Sequence, residues 1–143
     1  MITVLMGAPG AGKTTWVNNH ALDELILSTE AIRVLRNEID AGAFMNGLRM
    51  KGYKAMTKGQ SVIVDGTNTI THQRLFWLNA SKKLGLANRL IAFDTPLEIL
   101  LQVQKTREHP APNNIVREHH YRFKKAIVQV RAEKWDQIEV IKR

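Results

Sequence analysis

Gly7-Ala8-Pro9-Gly10-Ala11-Gly12-Lys13-Thr14 follows the apolar run Ile2–Met6 and precedes a helical pattern over residues 11–21. The stretch satisfies G-x-x-x-x-G-K-[ST] at every fixed position, with the strand before it and the helix after it that a phosphate-binding loop requires. Average residue usage would place this pattern in about one chain of this length in 200, before its flanking elements are demanded. The spacing has a physical reason. Glycines let backbone amides wrap a β-phosphate, and a helix beginning at Lys13 aims unpaired amides and its positive dipole end at the anion. Residues Gly7, Ala8, Pro9, Gly10, Ala11, Gly12, Lys13, Thr14 and Thr15 are therefore the candidate nucleotide-binding set. Lys13 reaches the β/γ oxygens, and the Thr14 hydroxyl is a ligand for Mg²⁺, which keeps several waters and takes few protein ligands.

Outward from the loop, short apolar runs alternate with helical patterns. Strands are expected at residues 25–27, 61–65, 87–94 and 137–141, and helices over 71–84, 97–107 and 114–134. A helical pattern over 29–50 contains Gly42 and Gly47 and is expected to be broken. Gly85 marks a left-handed helix terminator, and Pro110 and Pro112 rule out helix between 109 and 114. Five strands alternating with helices predict an α/β layer fold with a mostly parallel sheet.

The chain has 143 residues, and no linker, repeat or low-complexity stretch divides it, so one domain over 1–143 is expected. Cys is absent, which excludes disulfides, thiolate metal sites and a Cys nucleophile and suits a reducing cytoplasm. No apolar run is long enough for a membrane span, and the N-terminus has no leader pattern. Net charge is +8, and residues 105–143 carry ten Lys and Arg against five Asp and Glu. A surplus of this size favours polyanionic partners.

Two carboxylates stand where open α/β sheets present groups to a ligand, just past strand carboxyl ends. Asp65 ends the run Val62-Ile63-Val64-Asp65 and reads as a Mg²⁺-side acid or as a turn starter. Glu30 falls in the first turn of the next helical pattern. It reads as a general base for an attacking hydroxyl or as a partner of the helix dipole. Arg33, three residues on, reads as a ligand for an acceptor phosphate or as a solvated cation. Arg107 opens the Pro-rich stretch, where a lid could carry it onto a transferring phosphoryl group; loop arginines also simply face water. In the last helix Val116, His120, Phe123, Ile127 and Val130 mark a buried face. Arg117, Lys124 and Arg131 form a separate stripe, for a phosphate backbone or for solvent. His119 and His120 point about 100° apart and read as structural or surface residues, and Trp16 and Trp77 as core or core edge.

Taken together, GAPGAGKTTW, LSTEAIR, VIVDGTN and the block of helix, Arg107 and Pro-rich loop resemble the small P-loop kinases exemplified by the kinase domain of phage 5′-polynucleotide kinase. The likeness runs through nearly the whole chain. It implies an adenylate-kinase-like P-loop fold of three layers with a short lid at about 105–114, ATP and Mg²⁺ as cofactors, and transfer of the γ-phosphoryl to the 5′-hydroxyl of single-stranded DNA or RNA in end repair. By position, Lys13, Glu30 and Arg107 take catalytic places, Arg33, Thr67 and Asn68 line the acceptor groove, and Thr14 and Asp65 hold the metal. Relatives usually carry Asp where this chain has Glu30, one methylene longer. They place the acid of VIVDGTN at the Asp65 position or one residue later, so Asp65 either contacts Mg²⁺ or orients Arg107. No phosphatase domain follows, which implies end-healing by a kinase alone. A kinase of a small hydroxylated metabolite or of a base within DNA is built from the same parts. A nucleotide-dependent binding protein without phosphoryl transfer is the third reading.

Overall fold

The computed structural model describes residues 1–29 and 40–143. Five strands form one sheet: β1 (Ile2–Met6), β2 (Leu25–Ser28), β3 (Val62–Asp65), β4 (Asn88–Asp94) and β5 (Gln137–Lys142), in the order β2-β3-β1-β4-β5. Every neighbouring pair is parallel. The described helices are α1 (Lys13–His20), α2 (Ala41–Thr57), α3 (Thr71–Lys83), α4 (Leu97–Gln104) and α5 (Asn113–Gln129), the last followed by a 3₁₀ turn, Val130–Ala132.

The central strands are apolar without alternation because helices cover both faces, and β1 and β3 are buried along their whole lengths. On one face Ile2, Val4, Val62, Val64, Leu90 and Ala92 pack with Trp77 of α3 and Phe123 of α5. The intervening residues Leu5, Ile63, Ile91 and Phe93 pack on the other face with Val17 of α1 and Leu100 of α4. The period-2 side-chain direction of a strand thus supplies two cores from one sheet.

The expected elements are present with local differences at their ends. Helix α2 runs unbroken through Gly42 and Gly47. Asp40 starts it, extended at φ −76° and ψ 110°, its side chain accepting the Ala43 amide as a helix cap, and residues 30–39 of the expected pattern lie outside the described residues. This cap and the buried face at Gly52, Ala55 and Met56 outweigh the intrinsic cost of two glycines, about 1 kcal/mol each. Helix α4 ends at Gln104 rather than at 107, and α5 gives way to the 3₁₀ turn. Gly85 terminates α3 as its sequence position suggests. It adopts φ +67°, and the Leu86 and Gly85 amides return to the carbonyls of Ser81 and Lys82.

Gly52 is where α2 meets the sheet edge. A Cβ there would lie 2.6 Å from Leu27 Cδ1 and 2.6 Å from Trp77 Cη2, and Trp77 is itself buried. Gly52→Ala gains helix propensity but forces the ring and leucine apart, so a net loss of about 1–2 kcal/mol is expected. Urea unfolding measures it, and a stabilised variant would contradict the packing described.

Candidate active site

The carboxyl ends of the strands converge on the loop that leaves β1. Gly10 and Gly12 hold φ +89° and +104°, conformations that side-chain-bearing residues rarely adopt. Gly12 is also the N-cap of α1 and offers no capping side chain, so the first amides of the helix have no side-chain partner at the cap.

What shapes the loop is the fate of its carbonyls. Lys13 Nζ donates to the carbonyls of Gly7, at 2.8 Å, and Ala8, at 2.9 Å. The Pro9 carbonyl accepts from Gln104 Nε2 at 2.9 Å, that of Gly10 from the Arg143 guanidinium at 3.4 Å, and that of Ala11 from Thr95 Oγ1 at 3.1 Å. The Gly7 amide is tied to the Thr67 carbonyl at 3.0 Å. Five successive carbonyls are thus bonded to side chains around the loop. Ala8 and Ala11 sink their methyls into the core, 2% and 3% exposed. This arrangement turns the backbone into a concave anion receptor.

The loop forms one wall of a cleft of about 330 Å³. Thr14 and Thr15 stand on that wall, and Arg107, Val103 and Arg143 close one side. Ser28 and Thr29, at the end of β2, and the turn Asp65-Gly66-Thr67 make up the remaining wall. Parallel registration of Ser28 with Asp65, and the Thr29 amide donating to the Asp65 carbonyl, hold that wall together. Thr14 Oγ1 donates to Asp65 Oδ2 at 3.2 Å across the cleft floor. A hydroxyl beside a carboxylate is a hard-oxygen pair suited to Mg²⁺, which asks for few protein ligands. Among the described residues no group of three or more His, Asp or Glu gathers to hold a metal, His119 and His120 included.

The candidates from the sequence therefore divide. The loop residues Gly7 to Thr15, Asp65, Thr67 and Arg107 come together in one place. Glu30 and Arg33 lie outside the described residues. Asn68 does not line the cleft: it is 4% exposed, adopts φ 49°, and gives its side-chain amide to the Leu5 carbonyl at 2.7 Å, so it shapes the turn from within. Arg117, Lys124 and Arg131 are exposed, and Lys124 Nζ lies 3.6 Å from Asp94.

Other participants carried no signal of their own. Ser28 and Thr29 fall at a strand carboxyl end, where a search could have included them. Gln104, Thr95, Arg74 and Arg143 became visible only through their partners. Arg74 is fully buried. It donates to the Asn68 carbonyl at 3.2 Å and, through Nε and Nη2, to Glu133 at 3.1 and 2.8 Å. The turn after β3 is thereby anchored to the residue that follows the 3₁₀ turn beyond α5.

The strand order, the cleft at the strand ends and the loop geometry define a P-loop nucleotide-binding domain of the kinase type. The chain belongs to the AAA domain family, whose model matches residues 2–130. No curated protein matches its sequence. Among solved structures it is similar to a protein of Chloroflexus aurantiacus provisionally named a kinase, with 15% identity and TM-score 0.68 over 99% of this chain and 86% of that one. It also resembles a chain of the Pnkp1/Rnl/Hen1 RNA repair complex, with 16% identity and TM-score 0.74 over 90% of this chain, but it spans only 45% of that chain. A gluconokinase of Sinorhizobium meliloti shares 13% identity and TM-score 0.63 over 98% of this chain and 81% of that one. At these identities the likeness is one of fold.

The Arg74–Glu133 anchor has a pH signature. Burial pushes the Glu133 carboxyl up, but hydrogen bonds from Arg74 and the Trp135 indole, with the Arg74 charge, outweigh it and leave it below the ordinary 4.5. A lowered carboxylate stabilises the fold fully above its ordinary value and loses that contribution as pH falls through the lowered one. Melting temperatures followed from about pH 7 to about pH 3 should therefore fall further for the natural chain than for Glu133→Gln. Parallel curves would show that the pair does not anchor the turn.

Proposed function

We propose that the chain is an ATP-dependent phosphotransferase that moves the γ-phosphoryl group to the 5′-hydroxyl of a DNA or RNA strand. The observation that carries this reading is the two-walled cleft. Ser28, Thr29 and the 65–67 turn line the same cleft as the phosphate receptor, and this second wall is where an acceptor would be received beside the donor. The surplus of positive charge supports a polyanionic acceptor.

In this mechanism the loop amides and Lys13 bind the β- and γ-phosphate oxygens, and Arg107, on the cleft's lid side, takes up charge on the transferring group. Thr14 and Asp65 would hold Mg²⁺, which supplies further neutralisation of phosphate charge when bound. The acceptor oxygen forms its bond to the γ-phosphorus as the bond from that phosphorus to the β–γ bridging oxygen breaks. ADP leaves with the electron pair. Glu30, the residue after Thr29 in the chain, accepts the proton of the attacking hydroxyl. Arg33 and Thr67 hold the acceptor strand near its end, with Arg33 on the adjacent phosphate.

The test is transfer from γ-labelled ATP with Mg²⁺ to a 5′-hydroxyl oligonucleotide, beside the same strand already 5′-phosphorylated, across a salt series. Label on the 5′-hydroxyl strand alone, falling steeply with salt as counterions compete, is expected. Lys13→Ala should lower transfer about 10²–10³-fold, the usual loss for one donor to a developing charge. Label on both strands would move the acceptor to a base or sugar. Label on neither, with ATP still bound, would leave a metabolite kinase or a nucleotide switch.

A further inference from the structure

Gln104 is the last residue of α4, uncharged, and only 3% exposed. A glutamine amide that deep must find partners at both ends, and this one finds them on two different functional segments. Nε2 donates to the Pro9 carbonyl in the phosphate loop at 2.9 Å and to the Leu100 carbonyl in its own helix at 3.3 Å. Oε1 accepts the Ala111 amide at 3.0 Å. Ala111 is itself buried, 3% exposed, where the chain returns from the 105–110 excursion. The excursion starts at Gln104 as well, since the Arg107 amide donates to the Gln104 carbonyl at 3.3 Å. One residue therefore closes both ends of the loop that carries Arg107, and its side chain ties that loop to the phosphate receptor.

The receptor is shaped around this contact. A Cβ at Gly10 would lie 2.8 Å from Gln104 Nε2 and 3.2 Å from Val103 Cγ1, so the glycine gives α4 its close approach as well as allowing φ +89°.

We propose that Gln104 is a positioning residue that couples the phosphate loop to the lid and sets Arg107 over the cleft. The catalytic part of this inference rests on the proposed phosphotransfer. The mechanical part does not. A nucleotide that fixes the Pro9 carbonyl fixes the amide of Gln104, and through Oε1 the lid's return. Loosening that amide lets Arg107 wander, whereas Lys13 and the four other carbonyl bonds, at Gly7, Ala8, Gly10 and Ala11, still aim the loop amides at the anion.

The test compares Gln104→Leu, Arg107→Ala and the double variant by steady-state kinetics, and follows hydrogen exchange of residues 105–111 with and without a non-hydrolysable ATP analogue. Gln104→Leu should lower kcat about tenfold with KM for ATP changed by less than about twofold, the split expected for lost orientation rather than lost binding. The double variant should be no slower than Arg107→Ala alone, because both act through one guanidinium. Independent, multiplying losses, or a raised KM with kcat intact, would overturn the proposal. Exchange gives a readout that needs no turnover. The analogue should slow exchange at 105–111 in the natural chain, and this response should vanish in Gln104→Leu. An equal response in both, or no response in the natural chain, overturns the coupling. If Gln104→Leu does not fold, the response of the natural chain decides. If the natural chain transfers phosphoryl to no acceptor, the proposed function fails while exchange still decides the coupling.

Discussion

The organising constraint is the bonding of five consecutive backbone carbonyls, Gly7 to Ala11, to side chains from other parts of the chain. Backbone groups have two ends, and satisfying the carbonyls on the protein side decides the direction in which the amides can serve an anion. The partners come from α1, the residue after β4, the end of α4 and the end of β5. Such a loop can be formed only when these elements are in their final places. The order β2-β3-β1-β4-β5 makes this possible by putting β1 at the centre, so that its loop is reached from both sides.

Packing and site are connected through the same few contacts. Strand β1 is buried on both faces, which leaves the loop no freedom at its start, and the Gly7 amide is fixed to the 65–67 turn that forms the other wall. That turn is held from below by Asn68 on the Leu5 carbonyl and by Arg74, whose charge is matched by Glu133. A buried guanidinium is costly to desolvate and pays only when its partners are fully arranged, so this network favours one position of the turn over others. The phosphate loop and the 65–67 turn are thus set by two polar networks that meet at β1.

Much of this was legible in the sequence. The G-x-x-x-x-G-K-[ST] pattern specifies backbone conformation through glycine and helix start through its neighbours, and apolar runs bounded by Gly and Asp specify strands, so both the fold and the nucleotide side of the cleft could be read locally. Gly42 and Gly47 weaken the helical pattern in the sequence, yet the helix runs through both from its capping aspartate, Asp40, because its buried face outweighs their propensity. The resemblance implies a groove place for Asn68, yet a left-handed turn and a bond to the Leu5 carbonyl bury its side chain beneath the turn. Gln104, Thr95 and Arg74 could not be read at all: each is one polar residue within a helix or loop, and its role exists only through a partner distant in the chain.

If the loop is a receptor for the β-phosphate of a nucleotide, calorimetric titration with ATP, ADP and AMP will show it. The loop amides and Lys13 address the β-phosphate, and two or more charge-assisted hydrogen bonds are lost without it, so AMP should bind at least about 100-fold more weakly than ADP or ATP. Equal affinities for all three would mean that the loop does not read phosphate, and the account of the site would be wrong.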